Sequence, residues 1–291
     1  MVVADAVIHG PREQLLDFHE VEHPVALQIG GSDPVKLAKA TTIGSDVGYD
    51  EININIGCPS DRVQSGAFGA CLMREPALVA ECYAAMRDAT DKAVTVKCRL
   101  GVDDQDVEET LPHFIETVAR AGCTHFIIHA RKAWLKGLSP KENRHVPPLD
   151  YGLVRAIKER FPELEIVLNG GLTTMEQGLE EGRTLDGIMY GRAAYQNPWL
   201  LTEVDSLVHG DAPLTLSRED IVEKLIGYAE AQQDKDRSTK ALIRHIMGLY
   251  MGKPGARLWR RTLSEGLGEG LKPSEIIRGA STAMTNFKKA A

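Results

Sequence analysis

Hydrophobic and polar positions along this chain fall into two rhythms that take turns. Short runs in which apolar residues alternate or crowd together, at Val25–Ile29, Glu51–Ile56, Val94–Leu100, His125–His129, Glu165–Asn169 and Gly187–Tyr190, predict six buried strands. Helix-like segments lie between most of them, at Pro34–Thr42, Pro76–Ala89, Glu108–Ala121, Tyr151–Phe161 and Thr174–Glu181. This repeated strand-then-helix order specifies a parallel sheet, closed as a barrel or open and doubly wound.

Strands of a parallel sheet are normally apolar on both faces. Here one alternating set is polar toward the carboxyl ends: Gln28, then Asn53 and Asn55, Lys97 and Arg99, His129, and Asn169. The opposite set, including Leu27, Ile29, Ile54, Ile56, Val96, Cys98, Ile128, Ile166 and Leu168, is apolar. Polar side chains from five strands converging on one mouth describe a TIM (β/α)8 barrel better than an open sheet, which gathers its ligand at one crevice. Eight strands close such a barrel. Met1-Val2-Val3-Ala4 reads as the end of a preceding strand, so an N-terminally truncated barrel is expected, with the visible runs as strands 3 to 8 and the first two missing or nearly so.

After Tyr190 the rhythm changes. Trp199 to Pro213 reads as a connection, and helices are predicted at Arg218–Asp234, Thr239–Met251, Ala256–Leu267 and Pro273–Lys289. The expected division is a barrel over 1–210 and a small helical bundle over 211–291. At 291 residues and 43% hydrophobic content the chain can bury a substantial core. No run approaches the ~18 apolar residues that span a membrane, and the N-terminus lacks signal-peptide character. A cytoplasmic protein without membrane attachment is therefore expected, with a monomer as the default oligomeric state. The five cysteines, at 58, 71, 82, 98 and 123, lack Cys-x-x-Cys spacing, which argues against a disulfide framework and against zinc. The net charge of −7 hides an uneven distribution. Residues 235–291 hold 12 Lys+Arg against 4 Asp+Glu, a net +8, leaving −15 for residues 1–234. The basic tail suits a polyanion, or else is a solvated helix face.

Cys58 stands between Gly57 and Pro59 at the end of a strand, where parallel-sheet enzymes keep their chemistry, and is read as the reactive centre. The alternative is a small apolar residue filling a turn. Asn169-Gly170-Gly171 and Gly191-Arg192 follow what would be strands 7 and 8, where barrels commonly bind phosphate; tight turns are the other reading. Lys97, Gln28, His129 and Asn169 on one inner face suit a planar, hydrogen-bonding, phosphorylated cofactor such as FMN. The long loop from Ala130 to Asp150 sets Arg131, Lys132, Lys136, Lys141 and Arg144 around Trp134, a composition suited to an RNA backbone and an unstacked base, or to a solvated loop. Arg257, Arg260 and Arg261 share one helix face.

The stretches GCPSDRVQSGAFGACLM, VKCRLG, HARKAWLKGLSPKENR, NGG and GRAAYQNPW, in this order, resemble the tRNA-dihydrouridine synthases. The KGLSPKENR loop is similar to the A branch, which modifies positions 20 and 20a of the tRNA D-loop. The resemblance implies an FMN barrel with a helical tRNA-binding domain, using NADPH to reduce the flavin. Hydride then passes to carbon 6 of an extruded uracil, and Cys58 matches the family's proton donor to carbon 5. An ordinary thiol, with a pKa of about 8.5, is mostly protonated at neutral pH and suits that role. Flavin positions of the family fall on Gln28, Lys97, His129, Asn169, Gly170, Gly171, Gly191 and Arg192. Its tRNA positions fall on Asn55, Lys141, Arg144, Arg257 and Arg260.

The family's first strand, ending in an Ala-Pro-Met flavin contact, has no counterpart here. An unclosed barrel exposes strand edges and loses part of the flavin cradle, which predicts weakened folding or FMN binding. Two further readings follow: an RNA-binding remnant without catalysis, and an FMN barrel reducing a free pyrimidine.

Overall fold

Seven parallel strands form one sheet in strict chain order: β1 (Val2–Val3), β2 (Ala26–Gly30), β3 (Glu51–Asn55), β4 (Ala93–Arg99), β5 (His125–His129), β6 (Glu165–Asn169) and β7 (Gly187–Met189). This is a computed structural model describing residues 1–60, 66–232 and 239–290. The end of the helix expected over Arg218–Asp234, and 61–65 of the loop after Cys58, lie outside the described residues. The six strands expected from the pattern are β2 to β7, and the stub at Val2–Val3 is the strand end expected before them. The sheet is TIM-barrel-like and one strand short of eight.

Register carries the alternation from strand to strand. Gln28 pairs with Asn53, Asn53 with Thr95, Asn55 with Lys97, Arg99 with His129, and His129 with Asn169. Paired residues in a parallel ladder point to the same face, so the polar set of five strands is gathered on one side. The other side is fully buried at Ile29, Ile54, Ile56, Val96, Cys98, Ile128, Ile166 and Leu168. Each such branched side chain contributes about 1.5–3 kcal/mol by leaving water, which makes a one-residue slip of any strand prohibitive.

The helices begin where capping side chains stand. Asp33 accepts from the backbone N–H groups of Val35 and Lys36 and is followed by Pro34, starting the helix Pro34–Val47. Asp106 and Asp150 cap Val107–Arg120 and Tyr151–Arg160 in the same way, and Ser217 with Asp220 forms a capping box for Arg218–Ala231.

The chain forms two compact units, one of residues 1–171 with 178–189, the other of residues 172–177 with 190–291. In the second, Val222, Ile226, Ile243, Trp259, Leu263, Ile277 and Met284 make one apolar cluster. The Trp259 indole N–H donates to the Ile246 carbonyl at 3.1 Å, satisfying the one polar atom of that fully buried ring.

Candidate functional site

Cys58 follows β3 at the carboxyl edge of the sheet as a free, half-buried thiol. Its backbone is held on three sides. The N–H groups of Gly57 and Cys58 both donate to Asn55 Oδ1, at 3.1 and 2.9 Å. The Gly57 carbonyl accepts from Arg99 Nε at 2.9 Å, and the Cys58 carbonyl accepts from the Ala70 N–H at 2.9 Å. Sγ lies 3.4 Å from Ser60 Oγ. The other thiols are poor candidates for chemistry: burial pushes Cys82, Cys98 and Cys123 up to about 12 and also raises Cys71.

Lys97 lies on the same polar face. Its Nζ donates to Asn169 Oδ1 at 2.9 Å, passing over β5 to reach β6, and Asn169 Nδ2 in turn donates to the Met189 carbonyl at 2.7 Å. Desolvation pulls the Lys97 ammonium down to about 8. A value of about 8 leaves the group mainly a cation at neutral pH, and the side chain is only partly buried. Gln28 bridges β2 and β3, donating to Asn53 Oδ1 and accepting from Asn55 Nδ2, each at 2.7 Å.

Gly170 and Gly171 have φ values of +112° and +71°. A Cβ on Gly170 would stand 2.4 Å from His129 Cδ2, so the His129 ring lies directly against a backbone that only glycine allows. The Gly170 carbonyl accepts from Tyr151 Oη at 2.7 Å, which fixes the turn.

The loop after β5 is organised around Asn143, which is fully buried. Its Oδ1 accepts from the Trp134 N–H and its Nδ2 donates to the carbonyls of Trp134, Leu138 and Ser139. Arg99 Nη1 donates to the carbonyls of Lys132 and Asn143, both at 3.0 Å. Arg99 thereby joins this loop to Gly57. Burial pulls its guanidinium down to about 10. The basic residues divide into two groups. Arg131 donates to the His145 and Pro147 carbonyls and Lys132 to that of Gln105, while Lys136, Lys141, Arg144 and Trp134 are exposed.

In the second unit, Gly191 precedes the short helix Arg192–Gln196 and both Gly191 and Arg192 are exposed. Arg257 and Arg260 are exposed on the helix Ala256–Gly268, opposite buried Trp259 and Leu263. The structure thus brings Cys58, Asn55, Gln28, Lys97, His129, Asn169, Gly170 and Gly171 to one sheet face and its rim, and places Lys141 and Arg144 on the loop that Arg99 ties to it. Arg99, Ser60, Thr95, Glu51 and Tyr151 also support this site and were missed as site residues. The period-2 face already singles out Arg99, Thr95 and Glu51, whereas Tyr151 gives no local signal.

In-order parallel strands, flanking helices and a polar mouth holding a free thiol and a lysine define an α/β-barrel enzyme. The sequence profile of the family described as dihydrouridine synthase (Dus) matches residues 1–284. A protein named tRNA-dihydrouridine(20/20a) synthase from Shewanella oneidensis is 51% identical over 278 residues, covering 96% of this chain and 83% of that protein. One of the same name from Vibrio cholerae is 52% identical over 266 residues, covering 91% and 81%. The chain therefore belongs to the dihydrouridine synthase family. A solved old yellow enzyme homologue from Zymomonas mobilis aligns over 62% of this chain and 52% of that one, with a TM-score of 0.42 and 16% identity.

Proposed function

We propose that this protein is a flavin-dependent oxidoreductase that reduces the carbon 5–carbon 6 double bond of uridine in the tRNA D-loop, at positions 20 and 20a, with Cys58 as proton donor. The observation that carries the reading is a half-buried thiol, held through its backbone, on the rim of a face lined by Gln28, Lys97, His129 and Asn169. It is joined by the match to relatives of that name.

The donor set fits FMN. Lys97 and Gln28 offer a cation and an amide to a flavin ring, and His129, packed on Gly170, adds an imidazole on the same sheet face. Gly171, Gly191 and Arg192 complete the proposed cofactor set. When bound and reduced by NADPH, the flavin supplies the hydride for carbon 6. The residues of the chain do the rest: Cys58 holds a proton at Sγ for carbon 5, Arg99 and Asn55 fix the backbone that carries it, and Asn169 keeps Lys97 in place. A hydride and a proton added across one double bond balance the reduction.

Asn55, Lys141, Arg144, Arg257 and Arg260 are assigned to tRNA, which also accounts for the basic tail. The functional division is a catalytic barrel over 1–210 and a tRNA-binding helical domain over 211–291. Among the described residues no helix is long and apolar enough to cross a membrane. We assign the protein to the cytoplasm as a monomer.

The test is to add FMN to the purified chain, record visible absorption, and assay unmodified tRNA with NADPH. Flavin uptake at saturating FMN, and turnover, are expected, with Cys58→Ala keeping the flavin and losing about 10²–10⁴-fold in rate. Undiminished turnover by Cys58→Ala, or failure to take up flavin, sinks the reading.

A further inference from the structure

The polar side chains beneath Cys58 form a chain of hydrogen bonds with only one self-consistent direction. Glu51, at the start of β3, accepts from the Thr95 hydroxyl. Thr95 Oγ1 accepts from Asn53 Nδ2 at 2.7 Å, Asn53 Oδ1 accepts from Gln28 Nε2 at 2.7 Å, and Gln28 Oε1 accepts from Asn55 Nδ2 at 2.7 Å. Asn55 Oδ1 then receives the backbone N–H groups of Gly57 and Cys58. A carboxylate only accepts and a backbone N–H only donates, so each end dictates the orientation of every amide between them. Flipping any one amide would set two donors or two acceptors face to face. At Asn53, buried with Thr95, that mismatch has no water to relieve it.

From this we propose that Glu51 is a positioning residue for Cys58, holding the thiol's backbone and the Gln28 amide in register through the Thr95–Asn53–Gln28–Asn55 relay. The inference rests on the proposed role of Cys58 as proton donor. Glu51 makes no contact with the thiol. Its influence is carried by residues at β3 positions 51, 53 and 55 and by their partners Gln28 and Thr95, on strands already locked by the apolar face. The relay also explains three amide-bearing residues on a parallel sheet, where apolar side chains are the rule.

The test breaks the relay away from the thiol. Thr95→Val keeps shape and removes the hydroxyl; Glu51→Ala removes the acceptor from a half-buried position; Thr95→Ser restores the hydroxyl. Two readouts follow. In rapid-mixing experiments on the flavin-loaded protein, oxidation by unmodified tRNA should slow by about 10- to 100-fold in Thr95→Val and Glu51→Ala, and by clearly more than reduction by NADPH, which the relay touches only through the Gln28 amide. In the flavin-free chain, iodoacetamide labelling followed at peptide level should quicken at Cys58 by about threefold or more, with Cys71 as internal reference. Thr95→Ser should recover both. A purely structural role would lower thermal stability and move both half-reactions and both thiols together. Labelling at Cys58 and oxidation by tRNA within about twofold of the parent overturn the proposal. If Thr95→Val does not accumulate, Glu51→Ala decides alone. Full turnover by Cys58→Ala would refute the proton-donor role, whereas the labelling rates would still judge the relay, so the two failures are distinguishable.

Discussion

Gly170→Ala concentrates the demands of the site in one methyl group. Gly170 sits at φ +112°, and an added Cβ would stand 2.4 Å from His129 Cδ2, 3.0 Å from His129 Nε2 and 3.3 Å from the Ala130 nitrogen. Carbon pairs settle at about 3.5–4.0 Å, so the imidazole must withdraw by more than about 1 Å. The backbone conformation costs about 1–3 kcal/mol for a residue with a side chain. Driving His129 off its rotamer adds about 0.5–1.5 kcal/mol. The expected loss is therefore about 2–4 kcal/mol, a fall in melting temperature of roughly 5–15 °C. Because the displaced ring belongs to the proposed flavin set, FMN affinity should fall as well, measured by quenching of flavin fluorescence. Gly137→Ala isolates the conformational part, since Gly137 has φ +83° and nothing within 4 Å of an added Cβ. It should cost about 1–2 kcal/mol and leave FMN binding intact. Equal melting temperatures for Gly170→Ala and the parent, with unchanged FMN affinity, would refute the packing of His129 on this turn.

Other perturbations test separate parts of the site. Lys97 is held at about 8 against an ordinary 10.5, so its charged form is disfavoured in the folded state: the penalty is full below pH 8 and is relieved as pH rises from about 8 toward 10.5. Relative to Lys97→Met, the parent should gain up to about 3 kcal/mol across that range in urea unfolding, and a difference flat with pH refutes the burial of the ammonium. Arg99→Met removes three charge-assisted bonds to backbone carbonyls, one of them buried, and should destabilise by about 2–4 kcal/mol in urea, with faster tryptic cleavage at Lys136 and Lys141; unchanged cleavage would show that Arg99 does not hold the loop. Gly227→Ala and Gly279→Ala lie on exposed helix positions with open space for a methyl, and each should stabilise by about 0.5–1 kcal/mol in thermal melts. A loss of stability in either would contradict those helices.

Much of this protein follows from local pattern. The alternation of Ile52, Ile54 and Ile56 with Asn53 and Asn55 specifies both the strand and its two faces, because side chains on a strand point alternately and only one set can leave water at a profit in free energy. Asp33, Asp106, Asp150 and Ser217 start helices for the equally local reason that the first backbone N–H groups need acceptors. Cys58 between Gly57 and Pro59, and the glycine pair after Asn169, are legible in the same way.

Pairing and orientation are not local. Arg131 and Lys132 read like Lys136 and Lys141 in the chain, yet folding turns the first two onto backbone carbonyls and leaves the others exposed. That outcome depends on where Asn143 anchors the loop, which no nearest-neighbour rule states. Arg99 is one more polar residue of the inner face until the sheet brings Gly57, Lys132 and Asn143 within its reach. The direction of the relay from Glu51 to Cys58 likewise exists only once β2, β3 and β4 lie in register, since each amide takes its orientation from a neighbour on another strand. Sequence determined which residues face the site; tertiary structure decided which of them hold one another, because hydrogen bonds between strands are selected by three-dimensional proximity and by the cost of leaving a buried donor or acceptor unpaired.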